Sequence, residues 1–189
     1  HEPGSTFKLM AMVRALEDKV IDTSDVIDTK NGILSFYGRK VRDSKKGGYG
    51  KISAARAFEV SSNTALVQII NDNYQDKPEK FVEGLFDMKI NTPLGLPILG
   101  EGVPKFTHPN DKVNWDGLDL PWMAFGYGIS LTPLQTLTFY NAIANNGVMV
   151  KPRFIKEVKH FDQVVEKFDT EIISSSISVS YTHLTLPTR

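Results

Sequence analysis

Apolar residues along this 189-residue chain recur mostly at helical intervals. Phe7, Met10 and Val13, joined by Ala11 and Leu16, lie three or four positions apart, the interval that stacks side chains on one helix face. That spacing predicts a first helix over 5–19. The run Thr64-Ala65-Leu66-Val67-Gln68-Ile69-Ile70 predicts a helix over 64–73, and another follows over 78–88, opened by Pro78. Ser53 is placed to cap a short helix ending at Phe58. Thr132-Pro133-Leu134-Gln135 carries a capping-box signature with proline at the first helical position. The helix it opens holds Leu134, Leu137, Thr138, Tyr140, Asn141 and Ala144 at helical spacing, and Asn145-Asn146-Gly147 ends it. Strand-like stretches are short. Residues 33–37 and 40–42 form a hairpin across Gly38, and 153–160 and 164–168 flank a turn at Asp162-Gln163. Residues 91–120, rich in Pro, Gly and Asn, read as a long irregular connection, a kind of loop that is often functional.

The candidate chemistry lies at the start, in His1-Glu2-Pro3-Gly4-Ser5-Thr6-Phe7-Lys8. Pro3-Gly4 marks a turn into the first helix. Ser5 and Lys8 are three residues apart and share one helix face, so the lysine amine can reach the serine hydroxyl. A serine hydroxyl is a weak nucleophile that needs a nearby base, and lysine fills that role in Ser-x-x-Lys sites. The start of a buried helix also favours an anion through its unpaired N–H groups. A bare Ser-x-x-Lys has an equally simple reading as a helix cap beside a solvated lysine.

Two further segments change that balance. Ser61-Ser62-Asn63 leads into the second long helix, and Gly126-Tyr127-Gly128-Ile129-Ser130-Leu131-Thr132-Pro133-Leu134-Gln135 precedes the last one. With Glu-Pro-Gly-Ser-Thr-Phe-Lys at residues 2–8, these segments resemble the transpeptidase domain of penicillin-binding proteins, in the monofunctional class that serves cell division or elongation. The resemblance runs from Glu2 to about Glu171. It implies Ser5 as the acyl-accepting nucleophile, Lys8 as its base and Ser61 as a proton relay. It implies Asn63, Tyr127 and Gly128 as substrate-binding residues, with Asn63 also holding Lys8. The implied reaction is acyl transfer from the D-Ala-D-Ala end of a peptidoglycan stem peptide, with β-lactams acylating the same serine and no cofactor. The implied parent is anchored in the cytoplasmic membrane, works at its outer face and belongs to a cell-wall synthesis complex.

The family's Lys-Thr/Ser-Gly tripeptide does not occur in the 189 residues. The family uses it to bind the substrate carboxylate and to complete the oxyanion hole, so the chain by itself is expected to be inactive in transpeptidation. From Ile172 to Thr188 there is no charged residue, and the last stretch resembles translated sequencing-adapter sequence. On that reading residues 1–171 are a partial transpeptidase domain and 172–189 a non-native or disordered tail, and His183 is not a site. The expected fold is α+β, mainly helical, lacking most of the family's central antiparallel sheet. Without that sheet Phe7 and Val13 are expected to lose their packing surface, leaving the chain marginally stable.

Composition narrows the field. Hydrophobic content of 41% and charged content of 23% fit one globular domain. Equal numbers of basic and acidic residues, 22 of each, leave no basic field, which sets nucleic acid aside. No His, Asp or Glu cluster has metal-ligand spacing, so no metal is expected. Two other functions stay open: a serine β-lactamase or β-lactam sensor domain, and a non-catalytic binding or scaffold module.

Overall fold

The computed structural model describes residues 1–177. At its centre is α1, Lys8–Glu17, reached through a tight 3-10 turn at Gly4–Phe7. Periodicity predicted a helix with one apolar face, but α1 is enclosed almost all round. Lys8 through Val13, Ala15 and Leu16 are buried, and only Arg14 and Glu17 are partly exposed. A helix buried on nearly every side belongs inside a core.

Three helices supply that enclosure: α2 (Ala54–Glu59), α3 (Asn63–Tyr74) and α4 (Pro78–Asp87) all pack on α1. Phe7 is 0% exposed, with the Phe106 ring 6.4 Å away, and Val13 is 1% exposed. The expectation that both would lie bare without a central sheet is therefore wrong. Neighbouring helices and loops cover them, and the argument for a marginally stable chain loses its premise. The far end of α1 is pinned as well. Asp18 accepts hydrogen bonds from Tyr74 Oη at 2.7 Å and Arg14 Nε at 2.9 Å, and burial with this contact holds the Tyr74 hydroxyl protonated well above the usual tyrosine range.

Local chemistry fixes where the helices begin. Ser53 Oγ accepts from Arg56 N at 3.1 Å, and Ser62 Oγ from Ala65 N at 3.1 Å, each satisfying an amide that the helix leaves free. Strands pair only in twos among the described residues. β1 (Val26–Asp28) pairs with β4 (Lys51–Ser53), and β2 (Ile33–Phe36) with β3 (Arg39–Arg42). The β2–β3 turn has φ of 47° at Tyr37 and 79° at Gly38, the two positive values a type I′ hairpin needs. β5 (Lys105–Phe106) pairs with β6 (Ile129–Ser130), and α5 (Asp119–Met123) lies between them. The stretch 91–120 is thus mostly irregular, as expected, but holds one strand and the start of a helix.

α6 spans Pro133–Ala144. Its capping box is present on both sides: Gln135 N donates to Thr132 Oγ1 at 3.1 Å, and Thr132 N to Gln135 Oε1 at 2.8 Å. Its buried face is Gln135, Thr138, Phe139, Ala142 and Ile143, while Leu137 is 62% exposed. Spacing had selected Leu134, Leu137, Thr138, Tyr140, Asn141 and Ala144, of which Thr138 is buried. The buried stripe is rotated from that spacing, and it includes Gln135, whose Nε2 donates to Gly102 O at 3.2 Å. Thr132→Ala removes the cap and is expected to cost about 1 kcal/mol, read as a lower midpoint in urea unfolding.

β7 (Met149–Val150) pairs with β10 (Ile172–Ser174), and β8 (Glu157–His160) with β9 (Gln163–Lys167). The β8–β9 turn falls at Phe161-Asp162, one residue before the predicted place. β10 and the buried Ile177, whose N–H donates to Gly147 O at 2.9 Å, lie inside the tail expected from 172 onward. Strand pairing thus runs past residue 171, as far as Ser174. The adapter-like stretch of the tail falls outside the described residues.

Candidate active site

Two segments distant in sequence, 5–8 and 61–63, meet at the amine of Lys8. Its Nζ donates to Ser61 O at 2.6 Å, Ser61 Oγ at 2.9 Å and Asn63 Oδ1 at 2.6 Å. Three acceptors match the three donors of an ammonium. Lys8 is 1% exposed, and burial lowers its pKa from the ordinary lysine value to about 8, against the nearby Asp43 carboxylate, which raises it. A buried cation is costly, so the amine gives up its proton more readily than a lysine in water. The neutral form fits the same site. Two N–H groups stay on Ser61 O and Asn63 Oδ1, and the lone pair faces a hydroxyl.

Ser5 sits one turn away, within the 3-10 segment rather than an α-helix. In a 3-10 turn residues i and i+3 eclipse, which puts Ser5 and Lys8 on one edge. The Lys8 N–H donates to Ser5 O, and the turn is braced by Thr6 Oγ1, which donates to Pro3 O at 2.8 Å. Ser5 is exposed, and among the described residues its hydroxyl makes no hydrogen bond. In this resting arrangement Lys8 is turned toward Ser61 and Asn63. Accepting a proton from Ser5 requires its lone pair to turn back. Catalytic hydrogen bonds often tighten only once substrate is bound.

The turn that carries Ser61 is strained. Ser61 has φ of 53°, an uncommon region for a non-glycine residue. It persists because its surroundings hold it. Ser61 N donates to Phe58 O at 3.0 Å, and Ser62 N to Ala57 O at 2.9 Å. Asn63 Nδ2 donates to Arg42 O at 2.7 Å, so the Asn63 amide bridges the end of β3 to Lys8. Asp43 accepts from Ser62 Oγ, Thr64 N and Thr64 Oγ1 at 3.0, 2.9 and 2.8 Å. Backbone strain of this kind clusters at functional sites.

The Gly126–Gly128 segment lies against the Ser5 turn. Gly4 N donates to Gly126 O at 3.0 Å, Gly128 N to Glu2 Oε1 at 2.9 Å, and Leu131 N to His1 O at 3.0 Å. Tyr127 is 42% exposed, with its ring 5.0 Å from that of Phe125. Tyr127 and Gly128 thus flank the Ser5 turn, and among the described residues neither hydrogen-bonds to Lys8, Ser61 or Asn63. Trp115 lines a groove with Phe36, Tyr37, Asn71 and Gln75, apart from the Lys8 cluster.

Sequence reasoning brought out Ser5, Lys8, Ser61 and Asn63. It missed Asp43, the Arg42 carbonyl and Glu2. No spacing rule links residue 43 to residue 62. The β2–β3 hairpin brings them together, and its turn chemistry was the only available signal.

The chain was compared with known proteins. The penicillin binding protein transpeptidase domain family matches residues 1–184. Penicillin-binding protein PbpB of Mycolicibacterium smegmatis is 31% identical over 82% of this chain and 23% of its own length. Peptidoglycan D,D-transpeptidase FtsI of Buchnera aphidicola subsp. Schizaphis graminum is 26% identical over 84% of this chain and 26% of its own length. The chain therefore spans about a quarter of these curated relatives. The crystal structure of penicillin binding protein 3 from Mycobacterium tuberculosis, complexed with aztreonam, superimposes with a TM-score of 0.74 at 26% identity, covering 97% of this chain and 39% of that one. The fold, the order of the three segments and the family match agree, and the chain belongs to the penicillin-binding protein transpeptidase domain family.

Proposed function

We propose that this chain carries the nucleophile-bearing part of a peptidoglycan D,D-transpeptidase site. Ser5 attacks the carbonyl of the penultimate D-alanine in a stem peptide and forms an ester with loss of the terminal D-alanine. Lys8 takes the Ser5 proton. Ser61 passes a proton to the departing amine and recovers it from the incoming one. Asn63, Tyr127 and Gly128 orient the peptide. A β-lactam enters by the same attack, its ring amide opening onto Ser5. The steps use the chain's own side chains and no cofactor. The observation that carries the reading is the buried Lys8 amine, held by both Ser61 and Asn63 one turn from an exposed serine. In this reading the parent works at the outer face of the cytoplasmic membrane within a cell-wall synthesis complex, which the names of the similar proteins support. Among the described residues no helix is long and apolar enough to cross a membrane.

The sequence holds no Lys-Thr/Ser-Gly tripeptide, so one oxyanion donor and the carboxylate site are not supplied by the segments on hand. Losing one such donor slows acyl transfer by ~10²–10³. The expected result is slow acylation by a penicillin at high concentration, seen as an intact-mass increase of one drug molecule and lost in Ser5→Ala. An adduct that survives Ser5→Ala, or no adduct on a chain that circular dichroism shows to be folded, overturns the proposal. The second outcome would favour a binding or scaffold module.

A further inference from the structure

The Lys8 amine is held by a turn, and that turn is held from behind. Lys8 meets Ser61 and Asn63 on one side of the 61–63 segment. On the other side Asp43 takes three hydrogen bonds, from Ser62 Oγ, Thr64 N and Thr64 Oγ1. Ser62 and Thr64 are both 0% exposed and Asp43 is partly exposed, so these bonds are half-buried. Asp43 is itself tied to the loop below, its N–H donating to Gly32 O at 2.9 Å. Gly32 in turn is in backbone contact with Gly48, where a Cβ on Gly32 would lie 2.7 Å from Gly48 Cα. The carboxylate is thus mounted on a stiff hairpin base and reaches across to the first turn of α3.

We propose that Asp43 is a positioning residue for the acylation chemistry: it fixes the strained Ser61 turn that surrounds the Lys8 amine, and it presents a negative charge to that amine. The proposal rests on the functional reading above only in taking Lys8 as the base. The two effects pull in different directions. The clamp keeps Ser61 and Asn63 within reach of Lys8. The charge favours the ammonium and opposes the desolvation that favours the free amine.

Other charges are turned elsewhere. Glu2 is engaged with the Gly128 amide. Arg42 is exposed. On α2, Arg56 and Glu59 pair with each other at 2.8 Å. Arg14, Asp18 and Lys80 gather at the opposite end of α1 from Lys8. Asp72 sits in the last turns of α3, remote from Asn63 at its start, and the α4 residue Glu83 faces His108 at 4.0 Å. Among the described residues Asp43 supplies the charge that acts on Lys8.

The test is a direct titration of Lys8 in the full chain, by NMR of lysine labelled with carbon-13 at Cε, the resonance being assigned by its loss in Lys8→Arg. No substrate is involved, so the result is independent of whether Ser5 is acylated. Asp43→Asn keeps the shape and the bonds, since its amide oxygen still accepts from Ser62 and Thr64 N while its NH₂ donates to Thr64 Oγ1. It removes only the charge, and the Lys8 midpoint is expected to fall by ~0.5–1 pH unit. Asp43→Ala removes charge and clamp together, so the midpoint also falls, and the Thr64 amide exchanges with solvent at least ~10-fold faster than in Asp43→Asn. Thr64→Val breaks one bond of the clamp and leaves the charge, so the midpoint stays at the wild-type value. A folded Asp43→Asn chain with an unchanged midpoint overturns the proposal. So does a fall in Thr64→Val, which can be read even if neither Asp43 variant folds.

Discussion

Replacing Gly126 by alanine is expected to destabilise the chain by at least about twice as much as the same change at Gly4. Both glycines have positive φ, 88° and 55°, where a Cβ is strained. They differ in the space around them. A Cβ on Gly4 meets nothing within 4 Å. A Cβ on Gly126 lands on the Gly4 carbonyl, 2.7 Å from its carbon and 2.8 Å from the Gly4 nitrogen, and overlaps the oxygen outright. Those atoms are backbone and have no rotamer to escape into. Gly4→Ala costs the left-handed strain alone, about 1–2 kcal/mol. Gly126→Ala adds an overpacking cost, for a total of about 2–5 kcal/mol. Relief requires the two segments to part, breaking the bond from Gly4 N to Gly126 O and moving Ser5 with the turn. Urea unfolding of the two variants measures the difference. Equal midpoints would show that the 126–128 segment is not locked onto the nucleophile's turn.

This coupling explains what the sequence could and could not reveal. The elements fixed by local chemistry were legible. Ser53 and Thr132 cap helices where their side chains can reach the second or third amide beyond them, and the β2–β3 hairpin follows from a turn needing two positive φ values. The Ser5–Lys8 pair was legible because it lies within one turn. What tertiary packing decides was not. The enclosure of α1 depends on three helices that arrive later in the chain. The buried stripe of α6 includes Gln135, whose side chain turns inward to Gly102 rather than outward to water. Ser5 lies in a 3-10 turn because Gly4 is held against Gly126, 122 residues further on. Of the site itself, the residues that face Lys8 were found through short motifs. Those that stand behind them, Asp43 and the Arg42 carbonyl, belong to a hairpin with no motif of its own.

Replacing Lys8 by methionine is expected to slow acylation of Ser5 by ~10²–10⁴, the usual contribution of a positioned general base. Methionine keeps the length and fills the buried space, so the loss reports the amine. Lys8→Arg is expected to fail as fully, because a guanidinium keeps its proton at any working pH. In the wild-type chain acylation rises as pH approaches about 8 and levels off above it, as the buried amine loses its proton. The same shift makes a statement about stability. Below that pH the folded chain holds a proton on a buried amine, and the unfolded chain holds it in water, so folding carries the full cost of desolvation. Between about 8 and the ordinary lysine value of 10.5 the unfolded chain binds a proton that the folded chain has released. Stability therefore rises with pH across that window. Tyr74, held protonated by burial and Asp18, releases its proton more readily when unfolded and acts in the opposite sense as pH passes the ordinary tyrosine value of 10.0. Comparison of wild type with Lys8→Met from pH 7.5 to 9.5 isolates the lysine, because the other groups contribute alike to both. The stability of the wild type relative to the variant is expected to rise with pH across this range. Acylation that persists within tenfold in Lys8→Met, with the chain folded, would place the base on another residue.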